Sequence, residues 1–386
     1  MKNQMTHIIN LKSTYYTLKT ALLTIAFSFV TTISFANHPT SSTTIDSTVV
    51  VAENSHNSEA TTNNSHDESH GEEKFDINKT IMEHVADAHD WHLWGHTSVH
   101  LPVILYTDKG LDIFSSGKFN HGHDVYVGKY NYKNEHEKIH AVDESGNVLE
   151  NVKVLDFSIT KNVATLLISV FGLILIFLTV ANGYAKRGIG APKGIQSWLE
   201  PIILFVRDDI AAPNLGKHTS KYMPYLLTVF FFIWFNNMLG LIPFFPGGAN
   251  VTGNIAVTMI LSVITFVLTN INAKKAYWKH IFLPHVPLWL YPLMIPVEII
   301  CIFTKPFALM IRLFANITAG HILVLSLVCL AILFKSFAVG FATTPLIVFI
   351  SAIELLVAFL QAFIFTILSA LFIGMAVNIE TEEAHH

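Results

Sequence analysis

Five long apolar segments constrain the fold of this chain more than any other feature. Each can cross the roughly 30 Å hydrocarbon core of a bilayer as a helix, and the whole chain is 52% hydrophobic with only 13% charged residues. Such a composition is typical of integral membrane proteins. The sequence therefore predicts spanning helices at Val163–Tyr184, Tyr222–Phe245, Ile255–Ile271, Pro296–Phe334 and Pro345–Val377.

The last two apolar segments are too long to stand upright in a bilayer. As single helices they would measure about 60 Å and about 50 Å. Because only the short connection Lys335–Thr344 joins them, they have to run antiparallel and to tilt or bend strongly. The predicted fold class is an all-α polytopic membrane protein whose five spanning helices end in a long tilted helical hairpin.

The first 36 residues have the composition of a secretory signal. Lysines precede the apolar run Ala21–Phe35, and Ser34-Phe35-Ala36 fits a small-residue cleavage site. We predict that residues 1–36 are a cleaved signal peptide, with an uncleaved first membrane helix as the alternative. Residues 37–74 are polar and poor in apolar side chains, which predicts a disordered linker.

Residues 75–158 have short apolar runs broken by turn residues, which predicts a small α+β domain outside the membrane. A helix is expected over Asp76–His92. Short strands are expected at His100–Thr107, Leu111–Ser115, Asp124–Tyr132 and Val148–Asp156.

The charges are divided unevenly along the chain and predict its orientation. Residues 37–158 hold 20 of the 28 acidic residues, whereas two loops between apolar segments are strongly basic. The positive-inside rule makes those loops cytoplasmic. The 75–158 domain is then periplasmic, the membrane domain covers 159–380, and the tail 381–386 is cytoplasmic. The basic residues of the loops are Lys186, Arg187, Lys193, Arg207, Lys217, Lys221, Lys274, Lys275 and Lys279.

An arginine lies inside the fourth apolar segment. Placing Arg312 at the centre of a membrane helix costs about 2.5–3.5 kcal/mol on insertion scales, and such intramembrane charges commonly mark ion or proton paths. The sequence offers no acidic residue within a helical turn to neutralise it. Glu298 and Lys305 precede Arg312 at intervals of seven, and Asn316 follows four residues later, so these side chains lie on nearly one helix face.

Glu354 and Gln361 share a face of the last segment in the same way. Suppose that Gln361 lies at the depth of Arg312 in the antiparallel hairpin. His321 then falls about 13 Å and Glu354 about 10 Å outward, whereas Glu298 falls about 21 Å inward. This places a titratable pair on one side, a titratable group on the other and a permanent cation between them. Two half-channels divided by a charge barrier have this arrangement.

These polar residues resemble those of subunit a from the membrane (Fo) sector of F-type ATP synthases. The family pattern is Lys-Pro, then Arg-Leu-Phe-(Ala/Gly)-Asn, then Ala-Gly with His or Glu. Here it is matched by Lys305-Pro306, Arg312-Leu313-Phe314-Ala315-Asn316 and Ala319-Gly320-His321. Glu354 fits the family's acidic partner of the histidine, Gln361 the glutamine that faces the arginine, and Glu298 the inner carboxylate. The resemblance covers roughly residues 160–380.

The resemblance implies a non-catalytic proton-channel subunit in a bacterial inner membrane. Protons would enter past His321 and Glu354, ride on carboxylates of the c-subunit ring, and leave past Glu298. Arg312 would favour the ionised ring carboxylate and block a direct leak, with Asn316 and Gln361 lining the half-channels. The implied partners are the c ring, the b stalk, the rest of F1Fo and the lipid bilayer. No nucleic acid, cofactor or metal is implied.

Other interpretations compete with this one. A secondary transporter would have internal repeats with matching broken helices, and the sequence has no such repeat. A membrane-anchored metal-binding or sensory protein is suggested by His92, His96 and His100, whose spacing of four could bind zinc on a helix. Among the intramembrane groups, Asn316 and Gln361 could instead be interhelical hydrogen-bond partners, and Lys305 a snorkelling lysine.

Overall fold

The computed structural model describes residues 87–94, 97–122, 124–135, 137–149, 151–187, 193–242, 248–283, 286–334 and 337–378. The predicted signal peptide, polar linker and C-terminal tail lie outside these residues. Within them, a strand-rich outer domain precedes a helical membrane domain.

The outer domain consists of short antiparallel strands. They are β1 (Asp90–Trp94), β2 (Thr97–His100), β3 (Pro102–Thr107), β4 (Gly110–Ser115), β5 (Tyr126–Val127), β6 (Asn131–Glu135), β7 (Lys138–Val142) and β8 (Leu155–Asp156). β1 pairs with β2, β3 lies between β4 and β8, and β6 lies between β5 and β7. The two three-stranded sheets enclose a core that includes Val103, Leu105, Phe114, Phe119 and Tyr132.

Several sequence-based expectations for this domain are wrong in detail. The expected helix Asp76–His92 is contradicted where the structure describes it, because residues from Asp90 onward form β1 and pair with β2. Trp91 is thereby buried against Leu101 and Ala164, a long-range contact that outweighs the local pattern. The expected strand Asp124–Tyr132 is split into β5 and β6, and Val148–Asp156 is a strand only at its end, in β8.

The membrane domain is mostly helical over its described length. Its helices are α1 (Lys161–Arg187), α2 (Ile195–Phe205), α3 (Ala212–Leu215), α4 (Thr219–Leu241), α5 (Ile255–Ile271), α6 (Lys275–Phe282), α7 (Tyr291–Phe334) and α8 (Phe337–Asn378). A π-helical turn at Val206–Ala211 joins α2 to α3. Among the described residues, four helical stretches are long and apolar enough to cross a membrane, and the bent pair α5–α6 makes a fifth. The predicted helical membrane architecture is confirmed.

The terminal hairpin is longer and more continuous than expected. α7 has 44 residues and α8 has 42, so each is about 65 Å long, twice the thickness of the bilayer core. α7 begins before Pro296, and α8 continues through the expected connection and through Pro345. Proline is tolerated inside membrane helices where neighbouring groups satisfy the freed backbone atoms.

Helix α8 is central to the packing of the membrane domain. It contacts α3, α4 and α7, and Ala362, Ala370 and Ala376 are completely buried along it. These small side chains let neighbouring helix backbones approach closely, as is usual where no hydrophobic effect drives association. The packing holds α7 and α8 side by side and so sets the relative depth of their polar residues.

The start of α1 is hydrogen-bonded to the outer domain. The carboxylate of Asp87 accepts hydrogen bonds from the Thr160 hydroxyl at 2.8 Å and from the backbone N–H of Asn162 at 3.0 Å. It thereby satisfies one of the N–H groups that the first turn of a helix leaves without a partner. The outer domain and the first membrane helix are thus connected by more than the chain itself.

A buried histidine links two carboxylates within the outer domain. His89 is 3% exposed, and its ring nitrogens lie 3.2 Å from Glu137 Oε2 and 3.2 Å from Asp156 Oδ2. Burial alone lowers the pKa of His89, but the hydrogen bonds and charges of these two carboxylates outweigh burial and raise it to about 9. Burial would raise the pKa of Glu137 and of Asp156, yet their bonds to His89 lower both. The imidazole is therefore an imidazolium at neutral pH.

Candidate functional site

Arg312 lies on a face of α7 that the other described residues leave uncovered. Its neighbours Leu309 and Leu313 are 2% and 0% exposed and pack into the core, whereas Arg312 is exposed. In the part of the chain that the structure describes, no side chain forms an ion pair or hydrogen bond with this guanidinium. A cation at this position in an apolar helix is costly unless a polar or charged group or water meets it.

The surface around Arg312 is broad and apolar. Only 17% of the most apolar stretch of α7 is buried inside the chain, compared with 67% for the stretch that includes α4. Large side chains of both hairpin helices are exposed on this molecule, so the hairpin is suited to contact lipid or another membrane protein. They include Phe303, Phe307, Ile311, Val348, Phe349, Ile353 and Leu356.

Asn316 and Gln361 form a direct hydrogen bond across the hairpin. The Asn316 side-chain amide donates to Gln361 Oε1 at 2.8 Å, and Gln361 is 2% exposed. Gln361 therefore lies opposite Asn316 rather than opposite Arg312, a difference of one helical turn or about 6 Å from the assumed register. The contact is consistent with the alternative in which these two amides hold the helices together.

His321 and Glu354 approach each other across the same hairpin, further toward the end of α7 than Asn316. Nδ1 of His321 lies 3.8 Å from Oε1 of Glu354, and the two side chains are 18% and 10% exposed. This separation is too long for a direct hydrogen bond but suits a charge pair or a bridging water. The neighbouring Gly320 leaves room for the Glu354 carboxylate, because a Cβ at residue 320 would lie 3.0 Å from Glu354 Oε1.

A narrow cleft opens beside His321 and Glu354. Besides these two, its polar lining comes from α4 and from the segment that leads into α5: Asn236, Asn237, Asn250 and Thr252. The cleft connects His321 and Glu354 with α4 and with the segment before α5, which the hairpin alone did not predict.

The asparagines of this cleft are functional candidates that the sequence reasoning missed. The Asn237 amide donates to the backbone carbonyl of Ala358 at 3.1 Å, and the Thr252 hydroxyl donates to Asn237 Oδ1 at 2.6 Å. Asn236 Oδ1 and Asn250 Nδ2 are buried without a partner among the described residues, which makes them positions for ordered water. The sequence did contain a signal for them. Two adjacent asparagines in an apolar run need a polar partner or a function, just as Asn316 does.

Lys305 and Glu298 lie on the opposite side of Arg312 from His321. Lys305 lines a cleft of about 310 Å³ together with Asn270 and Tyr277, and its ammonium lies 5.6 Å from the centre of the Phe372 ring. Glu298 is half-buried, two further turns toward the start of α7. The structure thus brings His321, Glu354, Asn316 and Gln361 together and leaves Glu298 and Arg312 at separate depths.

The zinc interpretation loses its geometric basis. His92 lies on β1 and His100 on β2, so the helical spacing of four does not apply to them, and His96 lies outside the described residues. His100 Nδ1 instead pairs with Asp90 Oδ1 at 2.9 Å. Across the described ranges, no group of three or more His, Cys, Asp or Glu side chains is arranged to hold a metal ion.

Comparison with known proteins agrees with the geometry of the hairpin. A family model described as ATP synthase A chain matches residues 163–374, which is more than half of the chain. The chain belongs to this family. Membership confirms the expectation of a non-catalytic, multi-pass membrane subunit of a bacterial ATP synthase and disfavours the transporter interpretation.

Curated relatives give the same result. The chain is 47% identical over 237 residues to ATP synthase subunit a of Chlorobium phaeobacteroides (strain BS1), which covers 59% of this chain and 69% of the relative. It is 47% identical to ATP synthase subunit a 2 of Prosthecochloris aestuarii over 59% of this chain and 71% of the relative. With ATP synthase subunit a of Myxococcus xanthus the identity is 45%, over 58% of this chain and 74% of the relative.

A second family model matches the outer domain. It spans residues 80–157 and is described as a domain of unknown function, DUF8433. The two matches meet at the junction where Asp87 and Thr160 join the outer domain to α1.

Proposed function

We propose that this chain is the stator subunit that conducts protons through two half-channels and couples their passage to rotation of a c-subunit ring. The observation that carries the proposal is Arg312. Within the described residues it is an unpaired guanidinium on an exposed face of α7, and a carboxylate on a passing ring subunit supplies the charge that it lacks.

The outer half-channel is supported by the cleft beside the hairpin. Protons enter through the cleft lined by Asn236 and Asn250 and reach His321 and Glu354. From this pair a proton passes to an ionised ring carboxylate. The ring subunit, once neutral, can turn into the lipid without the cost of burying a charge.

Arg312 then separates entry from exit. A guanidinium favours the ionised form of a carboxylate within a few ångströms and does not itself release a proton under physiological conditions. A ring carboxylate therefore has to give up its proton before it passes Arg312. Asn316 and Gln361, joined by their hydrogen bond, hold the two hairpin helices in register beside this barrier.

The inner half-channel lies toward the start of α7. Glu298 is the titratable group there, about 21 Å from Arg312 along the helix. The cleft lined by Lys305, Asn270 and Tyr277 provides polar surface between Glu298 and the barrier. Protons released from the ring leave past these groups.

The proposed orientation follows from the basic residues. The α1–α2 connection and α6 carry lysines and an arginine, which places them on the cytoplasmic side, and the outer domain in the periplasm. We propose the c ring, the b stalk and the remaining subunits of the synthase as the partners of this chain.

The experiment that tests the proposal measures passive proton permeability in membranes from which the catalytic head has been stripped. Arg312→Ala removes the barrier, so we expect these membranes to leak protons faster than the wild type. Arg207→Ala is the matched control, because Arg207 is paired with Asp208 at 2.7 Å outside the hairpin. Equal permeability of the wild type and Arg312→Ala, in an assembled complex, would contradict the proposal.

A further inference from the structure

The segment from Ile271 to Leu283 forms an elbow that the proposed proton path does not use. α6 leaves the end of α5 at an angle of 100°, so it cannot continue across the bilayer in the direction of α5. The segment contains three lysines and a histidine and no acidic residue. A short helix that turns off a spanning helix in this way lies along the membrane surface.

One side of α6 is held by the protein. Tyr277 and Ile281 are 7% and 3% exposed and pack with Ile302 of α7 and Ala376 of α8. The backbone N–H of Lys274 donates to the carbonyl of Ala376 at 3.1 Å. α6 is therefore fixed in orientation, and its remaining faces point in defined directions.

The other faces of α6 are aromatic and basic in adjacent sectors. Trp278 and Phe282 are four residues apart, share one sector and stack with their ring centres 6.3 Å apart. Lys275 and Lys279 are also four apart and occupy the next sector, opposite the buried Tyr277 and Ile281. Around the helix, the order is protein contact, aromatic pair and lysine pair.

This order matches the layers of a membrane surface. Tryptophan and other aromatic rings favour the level of the lipid headgroups, and lysines beside them attract anionic phosphate groups. Trp278 and Phe282 are 36% and 50% exposed, and both lysines are exposed as well. Within the described residues, neither Lys275 nor Lys279 forms an ion pair with a carboxylate.

We propose that the α6 elbow is a binding site for anionic phospholipid, with Lys275 and Lys279 on the headgroup phosphate and Trp278 and Phe282 at the boundary of the acyl chains. An acidic protein surface could neutralise the lysines, but it would not give the stacked aromatic rings beside them the apolar surroundings that acyl chains provide. The choice of the cytoplasmic leaflet rests on the proposed orientation of the chain, whereas the lipid contact does not.

The test uses the full-length chain reconstituted in phosphatidylcholine vesicles that contain bromine-labelled lipid. Bromine quenches nearby tryptophan fluorescence, and subtraction of a Trp278→Phe variant isolates the signal of Trp278. We expect labelled phosphatidylglycerol to quench Trp278 more than the same fraction of labelled phosphatidylcholine. In Lys275→Gln/Lys279→Gln the apparent affinity for phosphatidylglycerol should fall by about tenfold.

The matched control removes the same number of charges elsewhere on the proposed cytoplasmic side. Lys186 and Lys217 are exposed and lie outside the elbow, and Lys186→Gln/Lys217→Gln should quench like the wild type. Equal quenching by the two lipids, or an equal loss in the control, overturns the proposal. Loss of another subunit from the purified synthase in the α6 variant, with lipid quenching unchanged, also overturns it and assigns the lysines to a protein partner. Because the readout is not proton flux, its failure is distinct from a failure of the proposed proton path.

Discussion

Nδ1 of His321 lies 3.8 Å from Oε1 of Glu354 across the α7–α8 hairpin, and both side chains are largely buried. In the proposed proton path these two side chains act together as one proton-accepting unit, because they face each other across the hairpin.

Exchanging the two residues tests this unit. His321→Glu combined with Glu354→His keeps an imidazole and a carboxylate at the same place, so we expect it to retain far more ATP-driven proton pumping than His321→Ala or Glu354→Ala. Proton uptake by inverted membrane vesicles is the measurement. If the exchange and the single alanine variants lose equal activity, the two residues do not form a unit.

Gly320 tests whether the separation of the pair matters. A Cβ at Gly320 would lie 3.0 Å from Glu354 Oε1 and 3.4 Å from its carboxyl carbon, so in Gly320→Ala the Glu354 carboxylate has to shift from its position beside His321. We expect proton pumping to fall severalfold while the synthase still assembles.

Gly340 provides the matched control for this change, since it also lies in the hairpin and a Cβ there meets nothing within 4 Å. Gly340→Ala should pump like the wild type. Unchanged pumping in Gly320→Ala would mean that the position of the Glu354 carboxylate is not critical.

The position of this pair could largely be predicted from the sequence, because helical rise alone places His321 and Glu354 at similar depths in an antiparallel hairpin. The exact register could not, since it depends on how side chains of α7 and α8 interlock. Gln361 consequently lies opposite Asn316 instead of Arg312.

Contacts between distant segments were beyond sequence reasoning. Asn237 reaches Ala358 only because α4 packs on α8, and it meets Thr252 only because the segment before α5 folds back beside α4. In the outer domain, burial of Trp91 selects a strand where the local pattern favoured a helix. At Pro345 the sequence predicted the start of the last spanning segment, but α8 begins at Phe337 and continues through the proline.

His89 predicts how the outer domain responds to pH. Its folded-state pKa of about 9 lies above the ordinary value of 6.5, so protonated His89 stabilises the fold fully below about pH 6.5, and this contribution is lost as the pH rises through 9. The carboxylates of Glu137 and Asp156 have lowered pKa values, so their contribution is instead lost in acid. Linkage gives roughly 3 kcal/mol for the histidine.

Pulse proteolysis of the full-length chain in urea, at pH 6 and at pH 9, measures this effect. His89→Asn should destabilise the outer domain strongly at pH 6 and much less at pH 9. His100→Asn is the control, because His100 pairs with Asp90 but its side chain is 45% exposed, and we expect a small change at both pH values. An equal loss for His89→Asn at both pH values would show that the imidazolium does not stabilise the domain.

The central claim is that Arg312 is a permanent cation that ring carboxylates must pass, and ATP synthesis by Arg312→Lys tests it most directly. Lysine keeps a positive charge but loses the planar, weakly hydrated guanidinium, and a buried ammonium can release its proton. We therefore expect Arg312→Lys to assemble normally, as judged by the subunit content of the purified complex, and to make no ATP in energised vesicles. Near-normal ATP synthesis in this variant would show that a positive charge alone is sufficient and would contradict the account.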